Sequence, residues 1–205
     1  TTAVTNYNTN TLQKFDAVYR HSKLTGIIDD VDTSILSNIT TIKIRKSFTP
    51  TLLSSNKYDI YFRNALFNPH SGHNSTAGGI LSSTGFKIDG TDNEMFLDDD
   101  GNGNVRRYYL VSGVKTYANE TQGTINYTTG QVTLNLINIA SISNIRGAAS
   151  TVVEITVQPS SNDVVPVRDQ IVELDIANST INVTADSFVG GSADAGVGYT
   201  TTSSY

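Results

Sequence analysis

The sequence contains no cysteine. It therefore offers neither a disulfide framework nor a thiolate metal site, and a cysteine protease is excluded. Long apolar runs are also missing, since no stretch approaches the roughly 20 consecutive apolar residues that a membrane-spanning helix requires. The formal net charge is -5 with acidic and basic residues interspersed, so a basic stripe for nucleic acid is missing as well. We expect no membrane and no nucleic acid among the partners.

The chain has 205 residues, of which 38% are hydrophobic. That length suits one domain of ordinary size or two small ones, and that apolar content is enough to fill a β-rich core. The first residues, Thr-Thr-Ala-Val, carry neither an initiator methionine nor a signal-peptide pattern. We therefore expect a fragment of a longer polypeptide, with further sequence upstream.

Hydrophobic spacing changes along the chain. Residues 1–14 are polar and rich in Thr and Asn, which favours an arm or linker. Apolar residues between 15 and 38 recur at intervals of three and four, which predicts one or two short helices. Beyond residue 38 many short strand candidates separated by turns predict antiparallel pairing. They cover residues 41–47, 58–66, 80–88, 94–97, 105–111, 114–118, 123–127, 131–136, 151–158, 172–176 and 180–184.

The predicted fold class is α+β and β-rich, with antiparallel sheets, one or two short N-terminal helices and extended terminal arms. We expect an arm or linker over residues 1–14, a β-rich domain over 15–160 with the short helices near 15–38, and C-terminal strands with an extended tail over 161–205. The end of the chain is dominated by Gly, Ser, Ala and Thr, and such a tail buries little apolar surface alone. We expect it to dock on neighbouring subunits.

The sharpest local motif is the run Asp-Asp-Asp-Gly-Asn-Gly-Asn at residues 98–104. Oxygens of Asp98, Asp100 and Asn102 at the first, third and fifth places match the opening of a calcium loop. The twelfth place is Tyr109, where such a loop needs a bidentate Glu, and no helical pattern flanks it. A hairpin turn explains the same residues, because Asp, Asn and Gly tolerate turn geometry. We expect no cofactor, with calcium at these three residues as the alternative.

No catalytic motif is evident. His70 and His73 have a spacing that suits two metal ligands on a helix, but Pro69, Gly72 and Asn74 argue against a helix there, and a third ligand is not apparent. The Gly-x-Ser-x-Gly elbow, a Ser-x-x-Lys motif with its partners and the glycine-rich phosphate loops are absent. We expect a protein that is not an enzyme.

Several segments, taken in order, resemble one family. Phe-Asp-Ala-Val-Tyr-Arg at 15–20, Ser-Lys-Leu at 22–24, Ile-Asp-Asp-Val-Asp at 28–32 and Ser-Ile-Leu-Ser-Asn at 34–38 resemble the later part of the baseplate wedge protein of T-even-type myoviruses, the product of gene six. Later segments agree. They are Ser-Thr-Gly-Phe at 83–86, the run 97–109 with Asp-Asp-Asp-Gly-Asn-Gly-Asn-Val-Arg, residues 123–134, Val-Gln-Pro-Ser-Ser-Asn-Asp-Val at 157–164 and Arg-Asp-Gln at 168–170.

The resemblance implies the C-terminal region of a longer wedge subunit of the virion tail baseplate, assembled in the host cytoplasm. In that family, copies pair as dimers that join into a ring around the central hub, beside other wedge and sheath-initiating proteins. The ring changes shape when the tail contracts, so the implied function is a scaffold that transmits conformational change. No catalytic residues come with the resemblance.

Assembly of this kind requires contact patches on the surface of the subunit. A twofold pair needs one self-complementary patch, and a ring needs a second, different contact. We expect the first patch among residues 15–36, with Leu24, Ile28 and Ile35 in it. We expect the second near residues 164–176, with Val167 and Ile171 in it.

Two other functions stay open on the sequence alone. A tail-fibre or surface adhesin would bind glycans through the loop at residues 70–79 and exposed tyrosines, and glycan binding by an isolated monomer would favour it. A secreted carbohydrate-active enzyme would need two convergent carboxylates about 5 to 9.5 Å apart. Glu94 and the aspartates at 98–100 are available, but carboxylates crowded in one turn are more often solvated.

Overall fold

The structure is a computed structural model that describes residues 1–73, 79–167 and 170–184. The chain divides into two compact units, Thr1–Leu174 and Asp175–Tyr205. In the second unit the described residues include a 3₁₀ helix, Ile176–Asn178. None of the helices in the described part of the chain is long and apolar enough to cross a membrane.

The first unit begins with short helices and continues in strands. The helical segments are α1 at Thr2–Tyr7, a π-helical turn at Asn8–Leu12 and α2 at His21–Asp29. The strands are β1 Ile44–Phe48, β2 Ser55–Tyr61, β3 Ser82–Ser83, β4 Phe86–Ile88, β5 Glu94–Asp99, β6 Asn104–Val111, β7 Val114–Asn126, β8 Gln131–Ile142 and β9 Val153–Val157.

In the described part of the chain all strand pairs are antiparallel, and they form two sheets. The smaller sheet has the order β1-β9-β3, and the larger has the order β2-β8-β4-β5-β6-β7. Strand β7 also pairs with β8, so the pairings among β4, β5, β6, β7 and β8 form a closed cycle. A closed cycle leaves few free edges. The predicted β-rich fold class with antiparallel sheets and short N-terminal helices is confirmed.

The main core lies on the inward faces of these strands. Strand β9 shows why the sequence folds this way, because Val153, Ile155 and Val157 are buried while the residues between them are partly exposed. That alternation matches the two-residue period of a strand. Phe86, Leu97 and many other apolar residues complete the same core.

Two glycines allow the long hairpin of β7 and β8 to form as the sequence predicts. Gly130 has a φ of +69° in the turn, where residues with a side chain are strained. Gly123 lies where the two strands approach each other, and a Cβ there would stand 2.0 Å from the carbonyl oxygen of Thr133.

The ends of the chain differ from the sequence-based expectation. Residues 1–14, predicted as an arm or linker, contain α1 and the π-helical turn, because Tyr7 and Leu12 are buried in a small core and hold the polar segment in place. Residues 172–176 and 180–184, predicted as strands, form no strand, since no neighbouring strand in the described part of the chain pairs with them. The tail at 185–205 lies outside the described residues.

Candidate functional site

A second, smaller hydrophobic core organises the N-terminal part of the chain. Tyr7, Leu12, Tyr19 and Leu24 are buried in it. Partly buried residues close around them, and these are Val4, Ile27, Ile28, Ile42, Val164, Val172 and Leu174. We call this part, residues 1–42 together with 163–167 and 170–174, the helical cluster.

Hydrogen bonds join the two chain segments of the helical cluster. The backbone amides and carbonyls of Tyr19 and Val164 bond to each other in both directions at 3.0 Å. The amide of His21 donates to Asp163 Oδ1 at 2.9 Å, and the amide of Leu174 donates to Asn8 Oδ1 at 2.7 Å. The two segments in which separate contact surfaces were predicted are therefore neighbours in space.

The predicted contact residues differ in their accessibility. Leu24 is 5% exposed, so its side chain supports the helical cluster from inside. Ile28, Ile35 and Val167 are half-buried, and Ile171 is 49% exposed. A role of these residues in self-association stays a prediction, and among them Ile171 presents the most apolar surface.

Other apolar residues of the helical cluster are far more exposed. Leu36 is 75% exposed and Ile39 is 99% exposed, in a segment without regular structure that leads from α2 to β1. Phe15 and Val31 are exposed as well. Sequence reasoning missed Ile39, although its isolation between polar neighbours, Asn38 and Thr40, is a signal that could have found it.

The helical cluster contains three buried polar groups that lack a hydrogen-bond partner among the described residues. They are the hydroxyls of Tyr7 and Tyr19 and Nδ1 of His21. Burial raises the pKa of Tyr19 from 10.0 to about 12, and the neighbouring Tyr7 and Asp163 add to the rise. A phenol with such a pKa stays neutral at physiological pH, so it does not act there as a base.

The acidic run at residues 98–104 covers the end of β5, the turn at residues 100–103 and the first residue of β6. Asp98 is 1% exposed, and its carboxylate binds Arg106 Nε at 2.9 Å, Lys115 Nζ at 2.8 Å and the Tyr117 hydroxyl at 3.0 Å. We call these four residues the Asp98 network. Sequence reasoning missed it, because its members meet only through the pairing of β5, β6 and β7.

Asp100 and Asn102, the other two calcium candidates, serve the turn itself. Asp100 accepts hydrogen bonds from the amides of Asn102 and Asn104 at 2.8 and 3.0 Å. Burial alone would raise the pKa of Asp100, but hydrogen bonds from Asn104 and Asn102 hold it below its usual value. Asn102 accepts from the hydroxyl of Ser71 at 2.6 Å. Within residues 1–73, 79–167 and 170–184, no three His, Asp or Glu residues are placed to share a metal ion.

Asp99 faces the opposite side of β5 from Asp98, as neighbours on a strand do. It is fully buried, and it accepts hydrogen bonds from the amide of Leu81 at 2.8 Å and the hydroxyl of Tyr127 at 2.6 Å. Burial, followed by this bond to Asp99, raises the pKa of Tyr127 well above its usual range. The two buried carboxylates are each held by protein donors and do not converge on a common point.

The loop considered for glycan binding lies partly outside the described residues, which stop at His73 and resume at Gly79. His70 and His73 are exposed, with 3.0 Å between His70 Nε2 and His73 Nδ1. A polar groove of about 640 Å³ lies nearby, and its lining is uncharged. Asn68, Asn126 and Gln131 are among the amide side chains that line it.

Comparison with known proteins yields one family. Residues 1–47 match the family model described as baseplate structural protein gp6, C-terminal domain III. No curated protein matches the chain. The match confirms the resemblance to the gene six product family, whose place is the tail baseplate of the virion and whose role is structural. The matched residues are the N-terminal segment of the helical cluster together with most of β1.

Proposed function

We propose that the chain is a subunit of the baseplate wedge of a contractile phage tail, whose copies pair and join into a ring around the hub. In this proposal the ring transmits the conformational change of contraction, and the subunit acts without catalysis. The observation that carries it is the match of residues 1–47 to a baseplate structural family. A structural role in the baseplate follows from the match, and the pairing, the ring and the transmission are the proposal.

The exposed apolar side chains of the helical cluster support a pairing surface. Isolated exposed apolar residues are ordinary, but several on one small part of a protein mark contact sites. Such residues occur in both segments of the helical cluster. The family-matched segment contains Leu36 and Ile39, and the segment bonded to it contains Ile171. The proposed dimer contact therefore includes these three, with Ile28, Ile35 and Val167 at its partly buried margin.

Other contacts belong to the same proposal. The remaining wedge proteins, the hub and the sheath-initiating proteins are the proposed neighbours, and the tail at 185–205 is proposed to dock on one of them. The division of the chain into a β-rich domain and a C-terminal region is likewise a proposal.

The mass of the 22.1 kDa chain in solution tests the pairing. We expect sedimentation velocity to show a species of twice that mass as the concentration rises. Leu36→Asp places a charge in the contact and should weaken pairing about tenfold or more, because a charge buried without a partner costs several kcal/mol. Ser37→Asp adds the same charge at the neighbouring exposed position and serves as the control. If both variants associate as strongly as the unchanged chain, this surface does not mediate pairing.

A second candidate function is a glycan-binding module, favoured by the uncharged polar groove. Amide side chains both donate and accept hydrogen bonds, which suits the hydroxyls of a neutral sugar. Calorimetric titration with neutral oligosaccharides tests it. Saturable binding by a chain that stays monomeric at every concentration would replace the wedge proposal with this one.

A further inference from the structure

The hairpin of β6 and β7 ends in an exposed apolar tip. Leu110 is 50% exposed, Val111 is 51% exposed and Val114 is 68% exposed. The turn between them is Ser112-Gly113, and both residues have positive φ values of 50° and 82°. Such two-residue turns match the twist of the strands that they join. We call Leu110, Val111 and Val114 the hairpin tip.

The hairpin tip projects beyond the neighbouring strand. Tyr109 pairs with Met95 on β5, and β5 begins at Glu94, so little of β5 remains beside Leu110. Val111 and Val114 pair with each other. The tip therefore stands free of the rest of the large sheet along the edge that faces β5.

The Asp98 network holds the base of this hairpin. Asp98 on β5 binds Arg106 on β6 and both Lys115 and Tyr117 on β7, so one carboxylate links three strands. Lys115 Nζ also lies 4.4 Å from the centre of the Tyr108 ring. A surface that is already fixed loses less conformational entropy when it binds. The hairpin tip is thus presented in a rigid form.

An apolar cavity of about 220 Å³ lies at the same end of the large sheet. Pro50, Leu52 and Ile142 contribute its apolar walls, and its lining includes no charged residue. For comparison, an apolar cavity of about 150 Å³ holds one benzene molecule. The volume therefore suits the branched side chains of one or two valines.

The hairpin tip of one chain does not fill its own cavity, because Leu110, Val111 and Val114 are all exposed. Ile142 pairs with Phe86, Phe86 with Met95, and Met95 with Tyr109, so Ile142 at the cavity and Tyr109 beside the tip lie at one level of the large sheet. Tip and cavity therefore lie at the same end of the sheet.

We propose that the hairpin tip of one copy inserts Val111 and Val114 into the cavity of a second copy, and that the second copy returns the same contact. A twofold axis between two such ends brings each tip over the other copy's cavity, because a patch and its complement at one end of a molecule satisfy an isologous contact. This inference rests on the proposed function. It supplies the second contact that a ring requires, at a site distant in sequence from the helical cluster.

A second copy fits this surface better than a membrane does. Each chain carries a net charge of -5, which anionic lipid surfaces repel. The tip and the cavity lining contain no charged residue, so a contact between two copies brings no like charges together there. Lys115, the cation nearest the tip in the sequence, is bound to Asp98.

Charge placed on the tip tests the contact in the full chain. We expect Val114→Asp to weaken self-association about tenfold or more in sedimentation equilibrium, since the carboxylate would enter an apolar cavity. Ala118→Asp adds an equal charge at an exposed position on the same strand and should leave association unchanged. Thermal unfolding confirms that both variants fold. Association of Val114→Asp at the strength of the unchanged chain would overturn the inference.

The absence of cysteine permits a direct second test. Copies carrying Val114→Cys, mixed with copies carrying Thr151→Cys at the cavity wall, should form a mixed disulfide on mild oxidation. Copies carrying Ala118→Cys should not. No mixed disulfide from the first pair, or flotation of the unchanged chain with anionic vesicles that Val114→Asp abolishes, would overturn the inference. Because Leu36→Asp addresses the helical cluster separately, loss of the tip contact alone leaves the wedge proposal standing.

Discussion

Replacement of Asp98 by asparagine removes the single carboxylate that links β5, β6 and β7. The change keeps the shape of the side chain, but Arg106 and Lys115 lose their partner charge, and the new amide group faces donors where an acceptor is needed. Removal of one partner from a buried ion pair costs about 3 to 5 kcal/mol. Arg106 is 11% exposed and Lys115 is 34% exposed, so Lys115 can turn to water. We therefore expect a loss at the lower end, about 3 kcal/mol.

Urea unfolding, followed by circular dichroism, measures this loss. With a slope of about 2 kcal/mol per molar, the midpoint should fall by about 1.5 M. Lys115→Met is the matched control, because it removes only the more exposed cation and should cost about 1 kcal/mol or less. If Asp98→Asn lowers the midpoint no more than Lys115→Met does, the Asp98 network does not stabilise the hairpin in the way described.

Three further predictions concern single residues. Tyr127→Phe should destabilise the fold by about 1 to 3 kcal/mol in chemical unfolding, because it leaves an oxygen of buried Asp99 without a donor. Tyr19→Phe should be neutral or stabilising, because the Tyr19 hydroxyl has no partner among the described residues. Equal losses of stability in the two variants would contradict this prediction. Gly130→Ala should lower the melting temperature, since its Cβ would stand 2.3 Å from the carbonyl oxygen of Asn64, and an unchanged melting temperature would refute that. Burial and the bond to Asp98 raise the pKa of Tyr117 from 10.0 to about 12, so its contribution to stability is complete below pH 10 and is lost as the pH rises toward 12. Melting temperatures across that range should fall less steeply for Tyr117→Phe, and an unchanged slope would contradict the assignment.

The strands could be predicted from the sequence because burial on one face of a sheet imposes a two-residue period of apolar residues. Val153, Ile155 and Val157 show that period, and Gly130 marks the turn that its positive φ requires. The N-terminal helix was not readable, because Tyr7 and Leu12 are too few in a polar segment to show a helical period. Their stabilisation comes from residues near the other end of the first unit.

The candidate site could be predicted only in part, because it depends on contacts between segments that are distant in the sequence. The sequence indicated the two segments of the helical cluster, but it could not show that Tyr19 and Val164 pair. The Asp98 network likewise depends on which residues stand opposite each other across two strand pairs. The register of two paired strands follows from turn geometry and packing, so the positions of charged residues in the sequence do not predict which of them will be neighbours.

The bond between Asn8 and Leu174 joins residues 166 positions apart, and this separation sets the order of events during synthesis. A ribosome adds about 5 to 20 residues per second, so Asn8 leaves the ribosome about 8 to 30 s before Leu174 does. Until then the small core of the segment lacks Val164, Val172 and Leu174, which pack against it. A chain interrupted before residue 163 would lack the segment that closes the helical cluster, so only chains that extend past residue 174 would present the proposed pairing surface to a growing baseplate.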